Sequence, residues 1–298
     1  MKQSRIKKYA ELEARIGNTP LVKYSGEVPN GNSIFIKREC DNHFGSHYDR
    51  VYLALFKAFE ETEGLKPGMN VLETTSGTAG VSFAGIGKEL GYNCFVMIPD
   101  DPIKQRRIEA IKAQGGIILP TPAIEDIQGF TKERIIDNIK KYGAKFLNHS
   151  MGPKGTNNEV TLGALSQIAQ EVLKKIDVDV YVGGIGNGSS IVGPGRVFKE
   201  YDPDTIIVGY KPRKAGKSEF PGLMNQDGLE KVIDFPHIRE ANQLIDRVFL
   251  VDDWEKGVFD QEDLGRSGKA GIVVALDIAK GVSGKNILVL GYDKAERY

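Results

Sequence analysis

The chain has 298 residues, enough for one large or two modest domains with a sizeable core. Forty basic residues balance 40 acidic ones, so the charge favours neither nucleic acid nor an anionic membrane surface. Two cysteines, Cys40 and Cys94, are too few for a disulfide framework and have no zinc spacing, which suits a reducing compartment and no metal site. Residues 1–15 lack the apolar core of a signal peptide, and no apolar run reaches the roughly 18 residues of a membrane span. A cytoplasmic protein is expected.

Residues 9–15 read as a short helix, followed by a turn and an apolar strand at Ile16-Gly17-Asn18-Thr19-Pro20-Leu21-Val22. A β-like run at 34–37 leads into Glu39-Cys40-Asp41-Asn42-His43-Phe44-Gly45-Ser46-His47-Tyr48-Asp49-Arg50. Val51, Leu55, Ala58 and Phe59 then recur at helical spacing. A strand, a Gly/Ser turn and a helix start usually set functional groups at the mouth of an α/β sheet. The strand at 70–73 repeats the pattern, with Thr74-Thr75-Ser76-Gly77-Thr78-Ala79-Gly80 before a helix at 81–90. Backbone N–H groups at such a helix start suit an anion, and plain capping is the alternative. Strands at 94–98, 117–119 and 145–147 alternate with helices at 104–114 and 124–142, a rhythm that predicts a parallel sheet. Lys104, Arg106 and Arg107 are expected on a solvated helix face.

The polar stretch 148–158 resembles a crossover between two lobes, and 161–174 is helical. A strong strand at 178–182 runs into Gly183-Gly184-Ile185-Gly186-Asn187-Gly188-Ser189-Ser190 and a helix at 191–200. Glycines there let backbone amides approach a phosphate, with the helix dipole aiding. The loop lacks the Gly-Lys-Ser/Thr end of a Walker A motif, and it comes too late to open a dinucleotide-binding unit. A purely structural loop is the alternative. Strands at 205–210, 247–251 and 287–290 and a helix at 272–279 complete the chain.

Six segments lie in the order of the cysteine synthase and threonine synthase family and resemble its motifs. Residues 16–22 resemble its entry, Ile-Gly-Asn-Thr-Pro-Leu-Val. Residues 42–50 resemble its Asn-Pro-x-Gly-Ser-x-Lys-Asp-Arg loop, and 75–80 its Thr-Ser-Gly-Asn-Thr-Gly turn. Gly186-Asn187-Gly188-Ser189-Ser190 takes the places of Gly-Thr-Gly-Gly-Thr. Leu264-Gly265-Arg266-Ser267-Gly268-Lys269-Ala270-Gly271 resembles Gly-Ile-Ser-Ser-Gly-Ala-Ala, and Asp293-Lys294-Ala295-Glu296-Arg297-Tyr298 resembles Ser-Gly-Glu-Arg-Tyr. Residues 213–237 depart from the family pattern.

The resemblance implies fold type II of the pyridoxal phosphate (PLP) enzymes: two α/β lobes with parallel-sheet cores and flanking helices. A smaller lobe, 46–145, would be inserted into a larger one made of 1–45 and 146–298, with the ligand between them and a homodimer as the assembly. Relatives hold PLP on a Schiff-base lysine, and Tyr48 stands in its place. Thr78 replaces the asparagine at the cofactor's phenolic oxygen, and Arg266 the serine at its pyridine nitrogen. No covalent cofactor is therefore expected; non-covalent PLP or another phosphorylated ligand stays open. The implied substrate site is Ser46, Thr75, Ser76, Gly77 and Thr78, and the phosphate site is Gly186, Asn187, Gly188, Ser189 and Ser190. Ser46 also suits a helix cap.

Tyr48, His47 and Arg266 are the catalytic candidates. A tyrosine acid or base needs a pKa well below the usual value of about 10. His47 would titrate near neutrality, although adjacent side chains seldom share a direction. Arg266 would welcome a carboxylate or phosphate. Three readings follow. One is a lyase or transferase that acts on an amino-acid-like or phosphorylated small molecule without an internal Schiff base. The second is a pseudoenzyme serving as a ligand sensor or as partner of an active relative. The third is a conventional PLP-dependent β-replacement or elimination enzyme with another lysine, of which Lys269 is the nearest.

Overall fold

The computed structural model describes residues 3–150, 156–213, 223, 236–252 and 263–298. The chain opens with α1 (Gln3–Glu13), β1 (Leu21–Lys23), β2 (Ser33–Lys37) and α2 (Tyr48–Thr62). Next come β3 (Asn70–Thr74), α3 (Thr78–Leu90), β4 (Asn93–Pro99), α4 (Gln105–Ala113), β5 (Ile117–Thr121), α5 (Lys132–Tyr142) and β6 (Lys145–Phe146). The remainder gives α6 (Thr156–Leu173), β7 (Val180–Gly184), α7 (Ser189–Tyr201), β8 (Ile206–Pro212), α8 (Pro236–Leu244), β9 (Arg247–Val251), α9 (Arg266–Gly281) and β10 (Asn286–Leu290).

These strands form two sheets. One is four-stranded and wholly parallel, in the order β5-β4-β3-β6. The other has six strands in the order β1-β2-β10-β7-β8-β9, parallel except for the β1–β2 edge. Parallel strands covered on both faces need near-continuous apolar sequence. β7 is buried along its whole length, and Ile287, Leu288, Val289 and Leu290 of β10 are fully buried between β2 and β7. Helix α6 packs against both α7 and α2, which ties the two halves of the molecule together.

Each sheet has a point where its strand order reverses. β3 is flanked by β4 on one side and β6 on the other, and β7 by β8 and β10. Beyond the carboxyl ends of such strands lies the crevice in which α/β sheets bind ligands. The segments emerging there are 75–78 and 147–149 from one sheet and 185–190 and 291–293 from the other. Thr78 Oγ1 donates to Asp293 at 2.7 Å, so the two crevices face each other.

Several expected boundaries shift for identifiable reasons. α1 is already helical at Gln3, the first described residue and earlier than the expected start at residue 9, and in it Arg5 and Tyr9 both bond Glu60 of α2. The helix expected over 124–142 starts only at Lys132. A 3-10 stretch, Ala123–Gly129, is broken at Asp126 (φ +46°), and Thr131 then caps α5 by accepting the Arg134 N–H. α9 starts at Arg266, six residues before the expected helix, which sets Arg266 on its first turn. The solvated basic face is also corrected. Lys104 and Arg107 are buried, Lys104 paired with Asp126, and only Arg106 is exposed. Residues 151–155 of the expected crossover, and most of 213–237, lie outside the described residues.

Candidate active site between the two sheets

The loop from β2 to α2 is anchored below the crevice by charge. Arg50 makes paired bonds to Glu39 (2.8 and 2.9 Å) and to Glu171 (2.6 and 2.8 Å). Asn42 donates to Glu39 at 2.9 Å and accepts the Gly17 N–H at 2.8 Å. Above this base the Ser46 hydroxyl accepts the Tyr48 N–H at 3.2 Å and meets the Ser82 hydroxyl at 2.9 Å. Ser46 is fully buried and precedes the N-cap position of α2, which is His47 and has no side-chain cap bond, so the expected cap is not formed.

Asp49 accepts from Ser82 (2.5 Å) and from the Phe44 N–H (2.6 Å). Burial nonetheless pushes its carboxyl up to about 7. A folded pKa above the ordinary carboxyl value of about 3.9 gives stability that is full below that pH and is lost as pH rises towards 7. Asp49→Asn can still accept the Phe44 N–H and donate its amide to the Ser82 hydroxyl, while removing the ionisation. Thermal melts from pH 4 to pH 7 should therefore move progressively in the variant's favour. A constant difference across that range would show that Asp49 titrates like an ordinary carboxyl.

His47 and Tyr48 share a direction after all, their rings 4.1 Å apart. Tyr292 meets His47 edge-on at 5.2 Å, and His149 meets Tyr48 edge-on at 5.2 Å. Burial raises the Tyr48 phenol, and the nearby Tyr292, Asp293 and Glu73 add to the effect. This environment is the reverse of what a tyrosine acid or base at neutral pH requires. His47 is corrected in the same way: burial lowers its pKa to about 4, so it stays neutral where it was expected to titrate. Its Nδ1 has no hydrogen-bond partner among the described residues.

The turn after β3 is held by Thr75, whose hydroxyl accepts the N–H groups of Gly77 (2.8 Å) and Gly80 (3.3 Å). Gly77 has φ +149°, and a Cβ there would overlap Cδ of Arg107, so the turn needs a glycine. Ser76 and Thr78 are half-buried at the mouth of α3. The Thr78 hydroxyl, however, is taken by Asp293, which also accepts the Tyr298 hydroxyl at 3.0 Å. Burial raises the Asp293 carboxyl, against the bond from Thr78 and the charge of Arg107. The Tyr298 ring lies near two guanidinium groups, Arg107 at 4.3 Å and Arg266 at 5.6 Å. Arg266 is half-buried on this side of α9, so the structure brings it to the same crevice as Thr78.

The glycine loop after β7 also lines the crevice. Gly188 has φ +90° and lies against the His237 backbone. Asn187 folds its side-chain oxygen onto the Ser189 N–H (3.0 Å) and hydroxyl (2.7 Å). The N–H groups of Gly186, Asn187 and Gly188 meet no acceptor among the described residues. Tyr292, just past β10, accepts the Gly184 N–H at 2.8 Å and lies close to the Ser190 and Tyr210 side chains. With its ring against His47, Tyr292 spans the space between the glycine loop and the His47–Tyr48 pair.

Four further polar side chains at this crevice were not anticipated. Glu73, fully buried at the end of β3, lies 3.3 Å from His149 Nδ1, and that nitrogen also bonds the Tyr52 hydroxyl at 2.9 Å. His237 is buried with Nε2 unpartnered among the described residues, its pKa lowered to about 4 by burial. A carboxylate in the otherwise apolar run Val71-Leu72-Glu73 was the one available sequence signal. Among the described residues no cluster of His, Cys, Asp or Glu is arranged to hold a metal ion, and no helix is long and apolar enough to cross a membrane.

Two largely parallel sheets whose glycine-bearing loops face each other define an α/β protein with a candidate site between the sheets. The family described as "Pyridoxal-phosphate dependent enzyme" matches residues 12–255, and the chain belongs to that family. It is 27% identical to cysteine synthase B of Escherichia coli (strain K12), over 96% of this chain and 93% of that one. It is 29% identical to cystathionine beta-synthase of Apis mellifera, covering 94% of this chain and 58% of that one. Among solved structures it is similar to an O-ureido-L-serine-bound, lysine-to-alanine mutant of O-ureido-L-serine synthase (TM-score 0.82, 25% identity, 96% of this chain and 91% of that one). A hydrogen sulfide-producing enzyme from Fusobacterium nucleatum is equally similar (TM-score 0.82, 26% identity, 96% and 98% covered).

Do the residues present fit the family's cofactor? An internal Schiff base needs a buried amine, and position 48, where the resemblance would set that lysine, offers a phenol. The buried lysines among the described residues, Lys37 and Lys104, are paired with Glu171 and Asp126. The loop that would hold the phosphate has Ser189 turned onto Asn187, Ser190 beside Tyr292, and the Tyr292 ring between the loop and His47. As placed, these side chains do not fit PLP.

Proposed function

We propose that this protein is a cysteine synthase-like lyase or transferase that works without an internal Schiff base, on a small anionic amino-acid-like ligand held between the sheets. One observation carries the reading. The three hydroxyl side chains that the resemblance sets at the cofactor lie against partners within the chain: Thr78 bonds Asp293, Ser189 bonds Asn187, and Ser190 lies beside Tyr292. The amides of 186–188 face no acceptor among the described residues, and the turn at 76–78 opens α3, so anion-binding elements persist. O-ureido-L-serine is bound to a lysine-to-alanine mutant of a similar protein, which supports an amino-acid ligand in this fold after loss of a lysine.

A second reading, a ligand sensor or partner of an active relative, is favoured by Tyr292, whose ring takes up the cofactor's side of the crevice. Purified protein separates the alternatives. Incubated with PLP and dialysed, it is expected to show no imine absorption band and no change on borohydride treatment. A band abolished by borohydride would overturn the Schiff-base-free reading and point to another lysine. Turnover of O-acetyl-L-serine or O-phospho-L-serine by this colourless protein favours the enzyme. Binding of either without turnover favours the sensor.

A further inference from the structure

Arg107 is buried, with 2% of its surface exposed. Among the described residues its Nη1 reaches one backbone acceptor, the Ser76 carbonyl at 3.4 Å. Nε and Nη2 have no partner in hydrogen-bonding geometry among the described residues, although the Tyr298 hydroxyl approaches the guanidinium. Burying a charged donor without a partner is costly, and proteins seldom retain one without a use for it. Asp293 contributes an opposing charge, but it takes its hydrogen bonds from Thr78 and Tyr298. The Tyr298 ring centroid lies 4.3 Å from the guanidinium carbon, so Tyr298 packs against the group without giving Nε or Nη2 an acceptor in hydrogen-bonding geometry.

The two unpartnered nitrogens have a particular geometry. Nε and Nη2 lie along one edge of the planar guanidinium, and that edge accepts two oxygens of a carboxylate or phosphate side by side. Arg107 also lies directly against the turn at the start of α3, with Cδ packed where Gly77 lacks a side chain. An N-terminal helix turn and an orphaned guanidinium edge therefore stand together at the crevice. We propose that the Nε–Nη2 edge of Arg107 binds an oxyanion group of the ligand, and that the natural ligand is an amino acid whose side chain carries a carboxylate or phosphate. This rests on the reading that an amino-acid-like ligand sits between the sheets.

Calorimetric titration with L-serine, L-aspartate and O-phospho-L-serine tests it on the full chain, beside Arg107→Met and Arg107→Lys. The native protein should bind at least one anionic amino acid about 10- to 100-fold more tightly than L-serine. That gap should close in Arg107→Met and narrow in Arg107→Lys, which keeps the charge and loses the fork. Preference for aspartate would identify a carboxylate, and preference for phosphoserine a phosphate. Arg107→Met should also melt no lower than the native protein without ligand, since an unpaired buried charge is removed. If Arg107→Met does not fold, the Arg107→Lys titration decides alone. Equal affinities for serine and both anionic amino acids, or a gap that survives replacement of Arg107, would overturn the proposal and leave the binding of an amino acid standing. No binding of any of the three would overturn that underlying reading as well.

Discussion

Arg50→Met is expected to lower the unfolding free energy by about 3–5 kcal/mol, because it leaves a buried carboxylate without its counter-charge. The Arg50 side chain is 1% exposed and that of Glu39 is fully buried. Each is satisfied almost wholly by the other and by the same small group. Thr19 donates to Glu39 at 2.6 Å, and Lys37 bonds Glu171 at 2.5 Å and the Thr19 carbonyl at 2.6 Å. Methionine matches much of the arginine's volume but supplies none of its donors, so two carboxylates would face an apolar side chain. Arg50→Lys should be only partly better, since an ammonium cannot make two paired forks.

The cost should also depend on pH. Burial alone would raise Glu171, but hydrogen bonds from Arg50, Lys37 and the Asn18 N–H hold it at about 2. A carboxyl depressed in the folded state stabilises above its unfolded pKa of about 4.3, and that contribution is lost as pH falls towards 2. Denaturant titrations should thus show the largest gap between native and Arg50→Met above about pH 4, narrowing in acid. A gap under about 1 kcal/mol, the range of an exposed pair, would show that water reaches this network. The network lies directly beneath 42–50, so the loop's shape rests on it, and ligand affinity should fall with stability.

How much of this was legible beforehand differs by level. The apolar runs at 70–73, 94–98, 178–182 and 287–290 are strands because continuous Val, Ile and Leu suit strands buried on both faces. The glycine-bearing turns at 75–80 and 183–190 were readable for the same kind of local reason: each joins a strand to a helix start. Helix ends were less legible, since Arg266 joins α9 through its cap at Gly265 rather than through apolar spacing. Hidden altogether were groups made neighbours by sheet order. β10 inserts between β2 and β7, strands far from it in the chain, and only that insertion carries Tyr292 to the glycine loop and Asp293 to Thr78. Burial misled in a second way. His47 carries a polar label in the sequence, but its behaviour is set by desolvation, which spacing does not report, and Arg107 is buried where spacing set it on a solvated face.

Tyr292→Ala is the change expected to reshape the crevice most. Deleting a buried aromatic ring typically costs about 3–5 kcal/mol, and here the Gly184 N–H also loses its acceptor. Tyr292→Phe isolates the second contribution. It keeps the ring against His47 but orphans the amide, for a loss of about 1–3 kcal/mol. The two variants have opposite consequences for the ligand. Phenylalanine removes the hydroxyl beside Ser190 but still occupies the space, whereas alanine removes both hydroxyl and ring. Equilibrium dialysis should therefore find PLP retained non-covalently by Tyr292→Ala, and not by the native protein or by Tyr292→Phe. Added PLP should also recover part of the lost melting temperature in the alanine variant, because a ligand that binds only the folded state stabilises it. Equal retention by all three proteins would mean that Tyr292 does not stand in the cofactor's place, and the explanation for a Schiff-base-free site would fall back on Tyr48 alone.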